Sequence, residues 1–119
     1  MTETIDFITT TENQLAEYEV VARLGVVRGI TVRSRSVFGS FGAKIQQVFG
    51  GEISLLTDLC EQTRADAFSL AIEHARTLGA NALVAIRYDA TEIMAGVSEV
   101  LCYGTAVRLV PRKREGVRA

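Results

Sequence analysis

Four side chains along the sequence have the chemistry to ligate a soft or borderline metal ion: Cys60, His74, Asp89 and Cys102. The sequence pattern predicts Cys60 and His74 on one helix, about 21 Å apart along its axis at ~1.5 Å per residue. Bonds from zinc to its protein ligands are only about 2.0–2.3 Å long. Cys60 and His74 therefore cannot bind one ion within a single helix. A metal site requires ligands from another element or from another copy of the chain.

Each of these residues also fits an ordinary structural role. A free cysteine is more often a small core residue than a metal ligand, and a lone histidine in apolar surroundings is more often hydrogen-bonded within the protein. The sequence holds two cysteines and no C-x-x-C pair, which indicates a reducing compartment and no disulfide framework. The residues leave two alternatives for the cofactor: none, or a divalent heavy metal shared between subunits.

Three arginines form a second set of candidates, for ligand binding or for a subunit interface. The pattern places Arg64 at the edge of an apolar helix face, where a charge requires a partner. Asp89 or a backbone carbonyl is the predicted acceptor. Arg33 and Arg35 share one face of a predicted strand, which we expect to be its solvent side. The structural alternatives are an ion pair for Arg64 and a solvated strand face for Arg33 and Arg35.

No arrangement typical of catalysis is present in the sequence. The single histidine has no nucleophile placed beside it by a known pattern, and G-x-S-x-G is absent. The stretch 39–44 lacks the G-K-[ST] ending of a phosphate-binding loop. We therefore expect no catalytic residues and a protein that is not an enzyme.

Composition limits the classes of partner. The chain has 119 residues, 48% of them hydrophobic, and a net charge of −1, which indicates one globular domain and no general attraction to nucleic acid. No apolar run approaches the ~20 residues of a membrane span, and the acidic N-terminus does not resemble a signal peptide. We expect a cytoplasmic protein without nucleic-acid or membrane partners.

The predicted fold class is α+β, with two layers: an antiparallel sheet packed on one long helix plus a short helix. The long helix runs from Glu52 to Leu78, without proline or internal glycine. The other predicted elements are a short strand at 5–8, a strand at 18–36, a short helix at 43–49, a strand at 82–88, a turn at 94–98 and a strand at 99–110. Residues 1–17 form an N-terminal segment, 18–110 a single domain and 111–119 a basic tail.

The apolar surface of these elements exceeds what one subunit can cover. The apolar arc of the long helix spans about half of its circumference, more than one sheet face requires. The returning strand is apolar on both faces, and a small domain with two helical segments cannot cover both sides of a sheet. These patterns predict self-association of the chain into a homo-oligomer.

An ordered set of short motifs resembles the YbjQ-like family of proteins, which is described as heavy-metal-binding. The motifs are LGVVRG at 24–29, GGE at 50–52, RADA at 64–67, LGANALVAIRYD at 78–89 and YGTAV at 103–107. The resemblance implies a dodecin-like subunit that assembles into a ring, commonly a pentamer. It also implies a heavy-metal role, but no set of catalytic residues.

Two departures from the family pattern weaken a metal site made of oxygen ligands. Many relatives carry an acid at the position of Arg87, whereas only Asp89 remains here. Relatives also often have Tyr-Glu where this chain has Leu55 and Leu56.

Taken as a whole, the resemblance still favours a homo-oligomeric, pentameric binding protein with a heavy-metal role. The alternative is a structural ring, or one that binds a small ligand or anion, without metal.

Overall fold

The computed structural model describes residues 6–34 and 52–113 of the chain. Within them lie strand β1 (Ile8–Thr9), strand β2 (Tyr18–Ser34), helix α1 (Glu52–Thr77), strand β3 (Ala82–Met94) and strand β4 (Val97–Pro111). The long helix and the three long strands confirm the predicted α+β class. The short helix predicted at 43–49, and Arg35 with it, lie outside the described residues.

The sheet is mixed, with strand order β1-β3-β4-β2. β3, β4 and β2 pair antiparallel, as predicted, but β1 pairs parallel to β3, with Ile8 opposite Ala82. The prediction of a purely antiparallel sheet is therefore wrong at this edge. A parallel pair needs a long crossover connection, and the chain between β1 and β3, which contains β2 and α1, supplies one.

The β3–β4 hairpin is longer than the sequence pattern indicated. β3 was expected to end at Tyr88, but it continues to Met94. Of the polar residues that follow Tyr88, Asp89 pairs with Leu101, whereas Thr91 pairs with Glu99 and Glu92 with Ser98. The turn is two residues long, shorter than the predicted turn at 94–98. Gly96 adopts the positive φ of 79° that a tight hairpin turn requires.

Helix α1 packs on β2 and β4 through a line of small buried residues spaced four apart: Thr63, Ala67, Ala71 and Ala75. Gly29 of β2 lies directly below this line. A Cβ atom at Gly29 would lie 2.5 Å from the Ala71 nitrogen and closer still to the Ala67 carbonyl oxygen. The helix backbone therefore rests on the strand backbone, and only glycine fits at this crossing.

Near the end of β2, the face predicted to be exposed to solvent is the face that packs against the helix. Thr31 is buried against the helix, and Arg33, on the same side, forms an ion pair with Asp66 of α1 at 2.9 Å. The expectation of a solvated arginine row is therefore wrong for Arg33. The small Gly29 decides the outcome, because only its side of the strand can accept the helix.

Residues 10–17 form a strap across the sheet face opposite the helix. One end of the strap is bonded to β3, where the Ala85 N–H donates to the Glu12 carbonyl at 2.9 Å. The other end is held by Arg112, whose backbone N–H donates to the Glu17 carbonyl at 2.8 Å. The strap covers a second apolar cluster, which consists of Ala82, Val84, Val107 and Leu109 with Ile8, Leu15, Tyr18 and Val20 packed around it.

Candidate functional site

The predicted metal ligands lie in separate parts of the subunit. Cys60 is exposed on α1 and Cys102 is buried in β4. His74 lies on the flank of α1 that faces β2, where it contacts Arg28. Asp89 is exposed on β3, on the sheet face away from the helix, because it pairs with Leu101, one residue before the inward-facing Cys102.

Cys102 belongs to the core between sheet and helix. It lies opposite Gly29 of β2 and Tyr88 of β3, and its thiol is hydrogen-bonded to the Tyr88 side chain. Burial raises the pKa of the Cys102 thiol, and this outweighs the opposite effect of the hydrogen bond. The pKa of Tyr88 is raised as well, first by burial and then by its contact with Cys102. The raised pKa makes the thiolate that a metal binds harder to form at Cys102.

His74 has a structural contact that fixes its ring. The backbone N–H of Arg28 donates to His74 Nδ1 at 3.2 Å. β2 is the last strand of the sheet, so this N–H belongs to its outer edge. The Arg28 carbonyl lies 3.4 Å from the same nitrogen, so Nδ1 accepts from the N–H in one tautomer and donates to the carbonyl in the other.

A heavy metal does not fit the donors of one subunit. Within residues 6–34 and 52–113, no three His, Cys, Asp or Glu side chains come close enough together to hold an ion. Of the predicted ligands, Cys102 is buried as a neutral thiol and His74 Nδ1 is occupied by Arg28. A metal centre made from the described residues needs donors from more than one chain.

Arg64 and Tyr88 are in contact on the surface of the subunit. The Arg64 guanidinium lies over the Tyr88 ring, 5.4 Å from its centroid, within the range of a cation–π contact. Together with Glu61, Ala65 and Phe68 they line a shallow hollow of about 350 Å³, here named the β3-side hollow. Of the two predicted acceptors for Arg64, Asp89 or a backbone carbonyl, Asp89 is wrong, because neighbouring strand residues point to opposite faces and Tyr88 faces the helix.

A second shallow hollow lies on the other flank of α1, above β2. Its lining residues are Asp66, Ser69, Leu70 and Glu73, and its volume is about 400 Å³. It is named the β2-side hollow. Asp66 is already held by Arg33 and by Gln62, whose amide donates to it at 2.9 Å. Glu73 and the exposed Leu70 are therefore the residues that this hollow presents to a partner.

Sequence reasoning missed most of this geometry. Arg64 was singled out from its place beside the apolar arc, but the aromatic partner Tyr88 was not. A signal was present, since Tyr88 lies within the LGANALVAIRYD motif. Glu73 carried no signal, because a carboxylate on a polar helix stripe is typical of any solvated helix.

The family is decided by comparison with known proteins. The model of the YbjQ family, described as "Putative heavy-metal-binding", matches residues 7–110. The chain belongs to this family. Among YbjQ-family relatives, a UPF0145 protein of Solibacter usitatus is 56% identical and covers 92% of this chain and 96% of its own length. A UPF0145 protein of Burkholderia thailandensis is 60% identical over 85% of this chain and 91% of its own.

A solved structure shares the fold of this YbjQ-family chain. It is a protein of unknown function from the DUF74 family of Pediococcus pentosaceus, with a TM-score of 0.57 and 17% identity, over 87% of this chain and 98% of that one. At this identity the likeness extends to the fold alone. In the described residues, no helix is long and apolar enough to cross a membrane.

Proposed function

We propose that this protein is a homo-oligomeric binding protein, not an enzyme, whose subunits join side by side into a ring. The observation that carries the proposal is that each lateral side of the subunit exposes apolar residues, and that the two sides differ. The dodecin-like subunit and the pentameric ring expected from the family resemblance are part of this proposal.

The β2 side of the subunit presents an uncovered apolar stripe. Val26 is 68% exposed and Val32 49% exposed, and Ile30 lies between them on the same face of β2. Leu70 of the β2-side hollow is also exposed, on the other side of β2, where the helix packs. Exposed apolar residues that cluster in this way are typical of protein–protein contacts.

The β3 side presents a different surface. Tyr88, which lines the β3-side hollow with Phe68, is exposed, and so are Ile93 and Met94 nearer the hairpin turn. Within the described residues, β3 has no neighbouring strand beyond the stretch bonded to residues 8–12. This edge therefore offers free backbone groups as well as apolar side chains.

Because the two sides differ, contact between them is heterologous, and such contacts produce a ring when the rotation closes. One pair of charges is complementary as well. Besides Glu61, the β3-side hollow presents the Arg64 guanidinium, and the β2-side hollow presents the Glu73 carboxylate. In the proposed contact, Leu70 of one copy packs into the hollow formed by Phe68 and Tyr88 of the next, and Glu73 pairs with Arg64.

A charge exchange tests this contact. We expect Arg64→Glu and Glu73→Arg each to shift the oligomer toward monomer in size-exclusion chromatography with light scattering. The double variant should restore the oligomer, because the exchanged charges again oppose each other. Asp58→Arg, which changes a charge at an exposed position of the same helix outside both hollows, is the matched control. A wild-type monomer at micromolar concentration would contradict the ring. An intact oligomer in both single variants would contradict this interface.

The heavy-metal role is proposed for the assembled protein only. Cys60 is exposed on α1, and His74 would ligate a metal through Nε2 in the tautomer whose Nδ1–H donates to the Arg28 carbonyl, 3.4 Å away. Two or more copies could combine these soft donors, with the exposed Asp89 as a further ligand, whereas Cys102 is buried too deeply to take part. Elemental analysis of untagged protein and calorimetric titration with zinc and copper test this role. Absence of stoichiometric binding, or binding unchanged in Cys60→Ser plus His74→Ala, would favour the alternative of a metal-free ring that binds a small ligand near Arg64.

A further inference from the structure

We propose that the cavity between the strap and the sheet binds a small organic anion with an apolar body, such as a short-chain or aromatic carboxylate. The cavity has a volume of about 560 Å³, within the ~300–1,000 Å³ of typical small-molecule sites. It lies on the face of the sheet opposite helix α1. It is therefore separate from both helix-side hollows and is formed by a single chain.

The floor of the cavity is apolar. Val20, Val84 and Val107 line it from the three long strands, and Leu15 lines it from the strap. Val84 and Val107 are nearly fully buried, so the floor is part of a packed cluster and does not move freely. A surface of this kind gains free energy from an apolar group that displaces water, about 25 cal/mol per Å² of apolar surface buried.

Two guanidinium groups supply the charge. Arg23 of β2 and Arg112 both line the cavity, and none of the described lining residues is an aspartate or glutamate. Arg23 is exposed and forms no ion pair within residues 6–34 and 52–113, where the one salt bridge joins Arg33 to Asp66. A carboxylate between the two arginines would form charge-assisted hydrogen bonds, which are stronger than neutral ones.

Arg112 is held in place before any ligand arrives. Its Nε donates to the Ala16 carbonyl and its Nη2 to the Tyr18 carbonyl, each at 3.1 Å. These bonds leave other guanidinium N–H groups free to donate into the cavity. A donor that is already fixed loses little conformational entropy on binding, which favours affinity for small ligands.

A backbone irregularity lies in the cavity wall. Ala85, which lines the cavity, has a φ of +56°, a conformation that is uncommon for a residue other than glycine. It forms the bulge at which the register between β3 and β4 shifts. Its N–H bonds to the Glu12 carbonyl of the strap. Strained residues of this kind are concentrated at binding sites, and this one fixes the strap at its distance from the sheet.

The two features together define the ligand class. Inorganic phosphate would pair with the arginines but leave the apolar floor exposed to water. A neutral amide of the same shape would cover the floor but leave the arginines without an anion. A molecule with one carboxylate and a short aliphatic chain or aromatic ring satisfies both.

Calorimetric titration of the full-length protein with hexanoate and benzoate tests the proposal, with hexanamide and inorganic phosphate as paired controls. We expect saturable binding of at least one carboxylate, at least tenfold tighter than either control. Arg23→Gln should weaken it about tenfold, which corresponds to ~1.4 kcal/mol. Arg28→Gln is the matched control, because Arg28 lies on the same strand and face but outside the cavity lining, and binding should be unchanged.

A second variant separates the cavity from general electrostatic attraction. Thr105→Leu fills the cavity floor without a change in net charge, and we expect it to abolish carboxylate binding while thermal stability is retained. The proposal is overturned if no carboxylate binds, if the amide or phosphate binds equally well, if Arg23→Gln and Arg28→Gln behave alike, or if Thr105→Leu binds like wild type. Light scattering on the same samples reports the ring separately, so that failure of one proposal does not affect the other.

Discussion

The Nδ1 atom of His74 accepts a hydrogen bond from the backbone N–H of Arg28, 3.2 Å away and 46 residues earlier in the chain. Arg28 lies on β2, at the edge of the sheet, and unpaired N–H groups on an edge strand invite pairing with other chains. The imidazole therefore satisfies one edge donor and fixes helix α1 against the strand. This contact explains the sole histidine of the chain without a metal.

Loss of this acceptor should have a modest cost. We expect His74→Phe, which keeps the ring but not the acceptor, to lower the free energy of unfolding by about 1 kcal/mol, since water can solvate part of the exposed N–H. Urea denaturation measures the change. His74→Asn, which offers a side-chain oxygen, should lose less than His74→Phe. Equal stability of all three proteins would show that the bond contributes nothing.

Substitution of Gly29 should be far more damaging. Gly29→Ala places a methyl group against the backbone of α1, 2.5 Å from the Ala71 nitrogen. The helix must then move away from β2, and overpacking of this kind costs about 1–3 kcal/mol or more. We expect a large drop in the urea midpoint and a weaker near-ultraviolet circular dichroism signal.

Gly25→Ala provides the comparison for Gly29→Ala. A Cβ atom at Gly25 has no heavy atom within 4 Å, but the residue has a φ of +115°. Gly25→Ala should therefore lower the free energy of unfolding through backbone strain alone, by about 1–3 kcal/mol, and should not displace the helix. The circular dichroism signal of Gly25→Ala should stay native-like. A similar loss of signal in both variants would contradict the close contact between helix and strand.

Stability should fall in alkaline solution because of Cys102 and Tyr88. The folded state raises the pKa of both groups, so between the unfolded and folded pKa values the native state binds more protons than the unfolded state. The free energy of unfolding then decreases as pH rises, from about pH 8.5, the ordinary thiol value, upward. Tyr88→Phe and Cys102→Ala should each reduce the slope of stability against pH. An unchanged slope would contradict the burial of these groups.

The two thiols should differ in reactivity. Cys60 is exposed and Cys102 buried, and the thiolate is the reactive form. We expect iodoacetamide at pH 8 to label Cys60 in the native protein, and Cys102 only after denaturation. Peptide mass spectrometry assigns each site, and Cys60→Ser should be almost unlabelled when native. Rapid native labelling of Cys102 would contradict its place in the core.

The ion pair between Arg33 and Asp66 should contribute little. The N–O distance is 2.9 Å, but the two side chains are 24% and 42% exposed, and partly exposed pairs contribute about 0–1 kcal/mol. We expect Arg33→Gln to lower stability by about 0.5 kcal/mol at low salt and by less at high salt. A loss above 2 kcal/mol, or one independent of salt, would indicate a second role for Arg33.

Local sequence signals predicted the elements of this fold well. Helix α1 begins at the predicted Glu52 and ends at Thr77, one residue before the predicted end, because proline and internal glycine are absent and Gly79 supplies the positive φ of the C-terminal turn. The long strands were found from β-branched residues. The predicted β3 ends at Tyr88, where its apolar run ends, but a strand at a partly exposed sheet edge also accepts the polar residues that follow.

The sequence by itself therefore determined the order of elements, the surplus of apolar surface and the family motifs, since these depend on spacing along the chain. Only the tertiary structure decided which face of β2 meets the helix, because Gly29 permits close approach on one side alone. That choice places Arg33 on Asp66 and leaves Val26 uncovered. The contact between Arg64 and Tyr88 also joins residues that are far apart in sequence, and so does the cavity beneath the strap. No local sequence pattern predicts such contacts.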